Sequence, residues 1–185
     1  MLSILDKNLY RDIPFFLASI LDGNLRLMKV ITGTLTNTSI PHLQVRSLCT
    51  DRAIGAEKPY QLLEVMQEVG IIFIRKEHDS KAKTAGEKLL FSDPAFYSVL
   101  AGDLRNAREA LVAMLCYGGY DGGGTKDETT GDFVLSKSIG TPIRHIKIEV
   151  GFSSKSSKKA DFVIRDDIDY PVGKNIPLWL LGMMY

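Results

Sequence analysis

The chain has 185 residues, 45% of them hydrophobic and 24% charged, with 23 Lys and Arg against 22 Asp and Glu for a formal net charge of +1. That balance excludes a disordered chain, 16 Gly with 7 Pro exclude a collagen-like one, and the length allows one or two small domains. No stretch approaches the roughly 20 uncharged residues of a membrane helix, the N-terminus meets charge too early for a secretory signal, and near-neutrality leaves only a local case for nucleic acid.

In chain order, Asn8 to Asn24 reads as a preamble in which Pro14 opens a short helix that ends at Gly23. Leu27, Met28 and Ile31 then share one face of a helix that stops near Gly33. Thr38-Ser39-Ile40-Pro41 opens a second helix that runs to about Cys49. A third covers Ala56 to Val69, with Tyr60, Leu63, Met66 and Val69 at helical spacing and Gly70 as its C-terminal cap. Ile71 to Ile74 and Leu89 to Phe91 are strand partners around a charged tip. Three helices followed by a hairpin is the order of a winged helix-turn-helix.

Ser92-Asp93-Pro94 marks the join to a second half, so residues 1–91 and 92–185 are the expected domains. Phe96, Tyr97 and Leu100 predict a short helix. Asp103 then caps a longer one from Leu104 to Cys116, with Leu104, Ala107, Leu111 and Leu115 as its apolar face. The glycine-rich stretch from Gly118 to Gly131 reads as the most flexible segment, a mobile connection. Its order of residues does not match a phosphate-binding P-loop, so no ATP is expected. Strand candidates follow at Asp132 to Leu135, Ile143 to Val150 and Asp161 to Arg165, and the apolar tail from Ile176 should pack on a core. Cys49 and Cys116 lack CxxC spacing and read as buried reduced thiols of a cytoplasmic protein. The three His are too scattered for a zinc site.

Two regions could carry chemistry. The third helix offers Glu57, Glu64 and Glu68 with Lys58 and Gln61, a face that repels phosphates, whereas the hairpin tip is more basic. Arg75, Lys76, Lys81 and Lys83, with Lys88 beside them, could touch a nucleic-acid backbone as a wing. A solvated loop is the alternative.

In the second half Glu109 lies mid-helix, Asp132 opens a strand and Glu149 sits near the end of the next long one. Asp132 and Glu149 could hold Mg²⁺ or Mn²⁺ for phosphodiester cleavage, with Glu109 in support. The position two residues after Glu149, on the same strand face, is Gly151 rather than the Lys that polarises the attacking water. Lys147 or Lys155 would have to substitute. The structural alternative pairs Glu109 with Arg105 or the neighbourhood of Arg108 on an exposed helix face and makes Asp132 a turn cap, and the residues alone favour it.

Several stretches resemble the C-terminal region of prokaryotic AAA-type ATP-binding proteins, the part after the P-loop module. They are Arg11-Asp-Ile-Pro14, Leu62-Leu-Glu-Val-Met-Gln-Glu-Val-Gly-Ile-Ile72, Lys88-Leu-Leu-Phe-Ser-Asp-Pro94, Leu104-Arg-Asn-Ala-Arg-Glu-Ala-Leu-Val112, Gly131-Asp-Phe-Val-Leu135, Ile148-Glu-Val-Gly151 and the tail from Asp166 to Gly182. The resemblance implies an α+β chain, with a winged helix followed by a small mixed-sheet domain similar to the PD-(D/E)XK restriction-endonuclease-like fold. It also implies that Glu109, Asp132 and Glu149 hold that fold's acidic positions. Gly151 departs from the nuclease pattern and implies a scaffold that has lost cleavage.

Related full-length proteins carry an N-terminal ATPase, so the expectation is a stand-alone remnant, part of a split gene or a shortened chain. The expected function is a non-catalytic accessory or effector module with a protein partner, such as a separate ATPase. A metal-dependent nuclease and a winged-helix DNA-binding protein are the alternatives.

Overall fold

The computed structural model describes residues 2–16, 22–37, 57–75, 88–117, 121–125, 131–137, 144–151 and 159–183. They form a mixed α/β protein with one two-stranded and one five-stranded sheet. The chain divides into two compact units, Met1–Ile74 with Ala82–Ala107, and Arg75–Lys81 with Arg108–Tyr185.

The first unit opens with α1 (Leu2–Lys7), a π-helical turn (Asn8–Asp12) and α2 (Ile13–Phe16). Leu5, Leu9 and Ile13 are buried one turn apart along this run. Pro14 therefore lies inside a helix instead of opening one. The Ile13 N–H bonds to Asn8 O, five residues back, and the widened turn accommodates a proline that can offer no N–H of its own.

Helix α3 (Asp22–Asn37) runs through both Gly23 and Gly33, so neither glycine is a terminus. Leu27, Met28, Ile31 and Leu35 form its buried stripe as the spacing predicts. That stripe outweighs the loss of roughly 1 kcal/mol for a mid-helix glycine. The second predicted helix, Thr38 to Cys49, lies outside the described residues, as does Cys49 itself.

Helix α4 (Glu57–Glu68) buries Leu62, Leu63 and Met66, while Glu64 and Glu68 are exposed. Its end is a Schellman closure. Gly70 takes φ +74°, its N–H bonds to Gln67 O at 3.0 Å, and the Ile71 N–H bonds to Met66 O at 2.9 Å. Ile71 and Met66 are both buried, which supplies the apolar contact that accompanies such a cap. Strands β1 (Ile72–Arg75) and β2 (Lys88–Phe91) then pair, as predicted. Short α5 (Ala95–Val99) follows Asp93, whose Oδ1 accepts the Ala95 N–H at 2.9 Å.

Helix α6 (Leu104–Tyr117) starts on Asp103, whose Oδ1 accepts the Arg105 N–H at 2.8 Å. Its buried stripe is not the predicted one. Glu109, Ala110, Val112, Ala113 and Cys116 are buried, whereas Leu104 is exposed and Leu111 and Leu115 are half-buried. Ala110, Ala113 and Cys116 have short side chains that permit a close approach of the helix, and this overrides the pull of the bulkier leucines.

Five strands follow: β3 (Asp121–Gly124), β4 (Phe133–Lys137), β5 (Arg144–Val150), β6 (Phe162–Arg165) and β7 (Asn175–Pro177). Their order in the sheet is β3-β4-β5-β6-β7. The first three are antiparallel, and β6 and β7 each add in parallel. The expected mobile connection is thus corrected in part. Asp121–Gly124 is a paired strand, since a run of glycines meets no steric obstacle to extended backbone and β4 supplies a ladder partner on one side.

Leu135, Ile146, Ile148, Ile164 and Ile176 fall on one face by strand alternation and register. The tail ends in α7 (Leu178–Leu181), where Leu181 is buried. Trp179 and Met183 are exposed, so the predicted packing of the tail holds only in part.

Candidate functional site

The end of the sheet where β4 begins holds Asp132 and Glu149, each one residue away from the paired Phe133 and Ile148, while Glu109 lies on α6. Strand β4 runs antiparallel to β5, and β5 runs parallel to β6, so the start of β4 and the ends of β5 and β6 lie together. Arg108 Nε donates to Asp166 Oδ2, which fixes the first half of α6 beside the end of β6. Glu109, Asp132 and Glu149 are all buried at 4%, 7% and 5% exposure, and this excludes the exposed-helix account of Glu109.

Asp132 is held on three sides. Its N–H bonds to Ile148 O at 2.8 Å, its carbonyl accepts the Thr125 N–H at 3.2 Å, and its Oδ2 accepts the Val150 N–H at 2.8 Å. The carboxylate takes the place of a further backbone carbonyl in the β4–β5 ladder, a charge-assisted bond to a strand amide.

Gly131 makes this possible. It takes φ +126°, and a Cβ there would lie 2.8 Å from Ile148 O. Thr125 Oγ1 donates to Gly131 O, so β3, β4 and β5 are tied together at one point.

Glu149 pairs in register with Val163 and, by alternation, shares a strand face with Lys147. It interacts with other residues, although its buried Oε2 makes no hydrogen bond among the described residues. Lys147 is half-buried, and its backbone exchanges two bonds with Asp161. The Lys147 N–H donates to Asp161 Oδ2 at 2.8 Å, and the Asp161 N–H donates to Lys147 O at 2.9 Å. Gly151 is buried and its N–H bonds to Ile164 O at 3.1 Å. Lys155 lies outside the described residues.

Among the described residues no group of three or more His, Cys, Asp or Glu side chains is placed to hold a metal ion.

The wing reading rests on residues at the edge of the described chain. Arg75 ends β1, and Lys76, Lys81 and Lys83 lie outside the described residues. Lys88, which stood with them in the sequence, is buried at 6% exposure at the start of β2 and so is not a surface cation for phosphate.

Two features were not legible from spacing. Ser136 Oγ and His145 Nδ1 meet at 2.9 Å across β4 and β5, a pairing that only the strand register could reveal. Tyr170, Val172, Trp179 and Met183 are between 54% and 76% exposed within a short length of the tail. For Trp179 and Met183 apolar character was the available signal, and it pointed to a core.

No helix among the described residues is long and apolar enough to cross a membrane. The chain matches no protein-family model, no curated protein and no solved structure.

Proposed function

We propose that this chain is a non-catalytic accessory module of the cytoplasm that works by contacting a protein partner. On this reading the first unit is a winged helix and the second a nuclease-like scaffold whose acidic positions have become structural. The observation that carries it is the bond from the Val150 N–H to Asp132 Oδ2, which commits the central carboxylate to the backbone. A helix, an antiparallel three-stranded meander and then a parallel strand is an order compatible with that scaffold. Gly151 stands where cleavage needs a Lys. The resemblance to the C-terminal region of AAA-type ATP-binding proteins favours a separately supplied ATPase as the partner.

The exposed Tyr170, Val172, Trp179 and Met183, all within fourteen residues of chain, support protein contact, because exposed large apolar side chains are common at interfaces. Free, buried Cys116 agrees with a reducing compartment.

Two experiments test the proposal. Supercoiled plasmid incubated with Mn²⁺ should stay intact with the wild-type chain, Asp132→Asn and Asp132→Ala alike. Nicking by the wild type that both variants lose would establish a nuclease instead. Affinity purification should recover one stoichiometric partner with the wild type and lose it with a folded Trp179→Asp variant. Identical recovery with that variant argues against contact through the tail.

A further inference from the structure

Among the described residues, the apolar face of the five-stranded sheet borders a cavity. Leu135, Ile146, Ile148, Phe162, Ile164 and Ile176, drawn from β4, β5, β6 and β7, line a cavity of about 200 Å³ bounded also by Cys116 of α6 and Leu181 of α7. The strand register puts these side chains in contiguous rows. Leu135 lies opposite Ile146, Ile148 beside Phe162, and Ile164 beside Ile176. Phe162 is 38% exposed, so the cavity reaches solvent along its ring.

The wall is chemically uniform. Seven of the eight lining side chains are hydrocarbon, and the eighth is a thiol. Burial pushes the Cys116 thiol up to about 11, so it stays neutral and unreactive across the physiological range. A water molecule needs two to four polar partners, and this wall offers only the weak sulfur group, so the space favours apolar occupants. The volume also sets a limit. A cavity of about 150 Å³ with a similar lining is large enough for benzene, whereas pockets for drug-sized ligands begin at roughly 300 Å³.

We propose that this cavity binds one small, uncharged, apolar molecule of about one aromatic ring, held by the isoleucines of the sheet and screened by Cys116 and Leu181. The site is separate from the acidic end of the sheet and does not depend on the accessory-module reading.

The probe is benzene, with imidazole as a polar molecule of similar size. The full chain is labelled at its isoleucine methyl groups. Benzene should shift the Ile146, Ile148, Ile164 and Ile176 methyls saturably and leave Ile13, Ile31 and Ile71 of the first unit unmoved. Imidazole should move none of them. At benzene concentrations ten times Kd the folded-to-unfolded ratio should rise about elevenfold.

Ile146→Phe, which fills the space, should abolish both responses, and Leu135→Phe serves the same purpose if the first variant does not fold. Three results overturn the proposal: no saturable shift, equal shifts of isoleucines in both units, or an undiminished response in a folded cavity-filling variant.

Discussion

The Tyr97 hydroxyl accepts the Phe91 backbone N–H at 3.2 Å, and the two rings meet edge-on with centroids 5.0 Å apart. Both side chains are buried, so the last residue of β2 finds its acceptor in a side chain from α5 instead of in a third strand. Tyr97→Phe keeps the ring and removes the acceptor. It should destabilise the chain by about 2 kcal/mol with an unchanged denaturant slope, read by urea titration. A loss of a few tenths would mean that the bond contributes little.

Asp132 and its variants separate a structural carboxylate from a metal ligand. Asp132→Asn retains an oxygen for the Val150 N–H and should stay within about 1 kcal/mol of the wild type. Asp132→Ala leaves that amide without its acceptor and should lose about 2–3 kcal/mol. Hydrogen exchange at the Val150 amide should accelerate in the alanine variant only.

Gly131 and Gly70 both have positive φ but differ in surroundings. A Cβ at Gly70 meets nothing within 4 Å, so Gly70→Ala should cost about 1–2 kcal/mol of backbone strain. At Gly131 the strain adds to a 2.8 Å clash with Ile148 O, and Gly131→Ala should lose on the order of 3 kcal/mol or more. Thermal unfolding of the two variants side by side ranks them, and an equal loss would contradict the close approach.

Burial raises the Cys116 thiol from 9.0 to about 11. A raised folded value means that the associated stability is complete below pH 9, where both states are protonated. It is lost as the pH climbs towards 11, because the unfolded chain ionises first. The loss is on the order of 2 kcal/mol. Urea titrations between pH 8 and 11 should therefore show a steeper alkaline decline for the wild type than for Cys116→Ala, and matching slopes would refute the shift.

What the sequence disclosed was local. The turn at Asp93, the cap at Asp103 and the Schellman glycine at Gly70 each act within a few residues, and each is where the sequence implies. So are the buried stripe of α3 and the three strands from Phe133 to Arg165, which are rich in β-branched and aromatic residues.

Hidden features depended on partners far along the chain. Val150 and Asp132 are 18 positions apart, and nothing near Asp132 announces that its side chain will extend a ladder. The orientation of α6 was misread because large apolar residues were weighted above small ones, although closeness to its neighbours favours Ala110, Ala113 and Cys116. Glycines in Asp121–Gly124 looked like a breaker because propensity describes an isolated segment, whereas a neighbouring strand supplies the partner that holds them extended.

The order of the strands across the sheet repeats their order along the chain. No strand has to be threaded between two that are already joined, and each new one meets an open edge left by its predecessor. Even the parallel additions are close in sequence, with Ile148 beside Phe162 and Val163 beside Asn175. The sheet can therefore assemble progressively as the polypeptide leaves the ribosome, with β7 as the last and most dispensable increment. Shortening from the C-terminus should peel the sheet one edge at a time, so that its antiparallel half outlasts its parallel half.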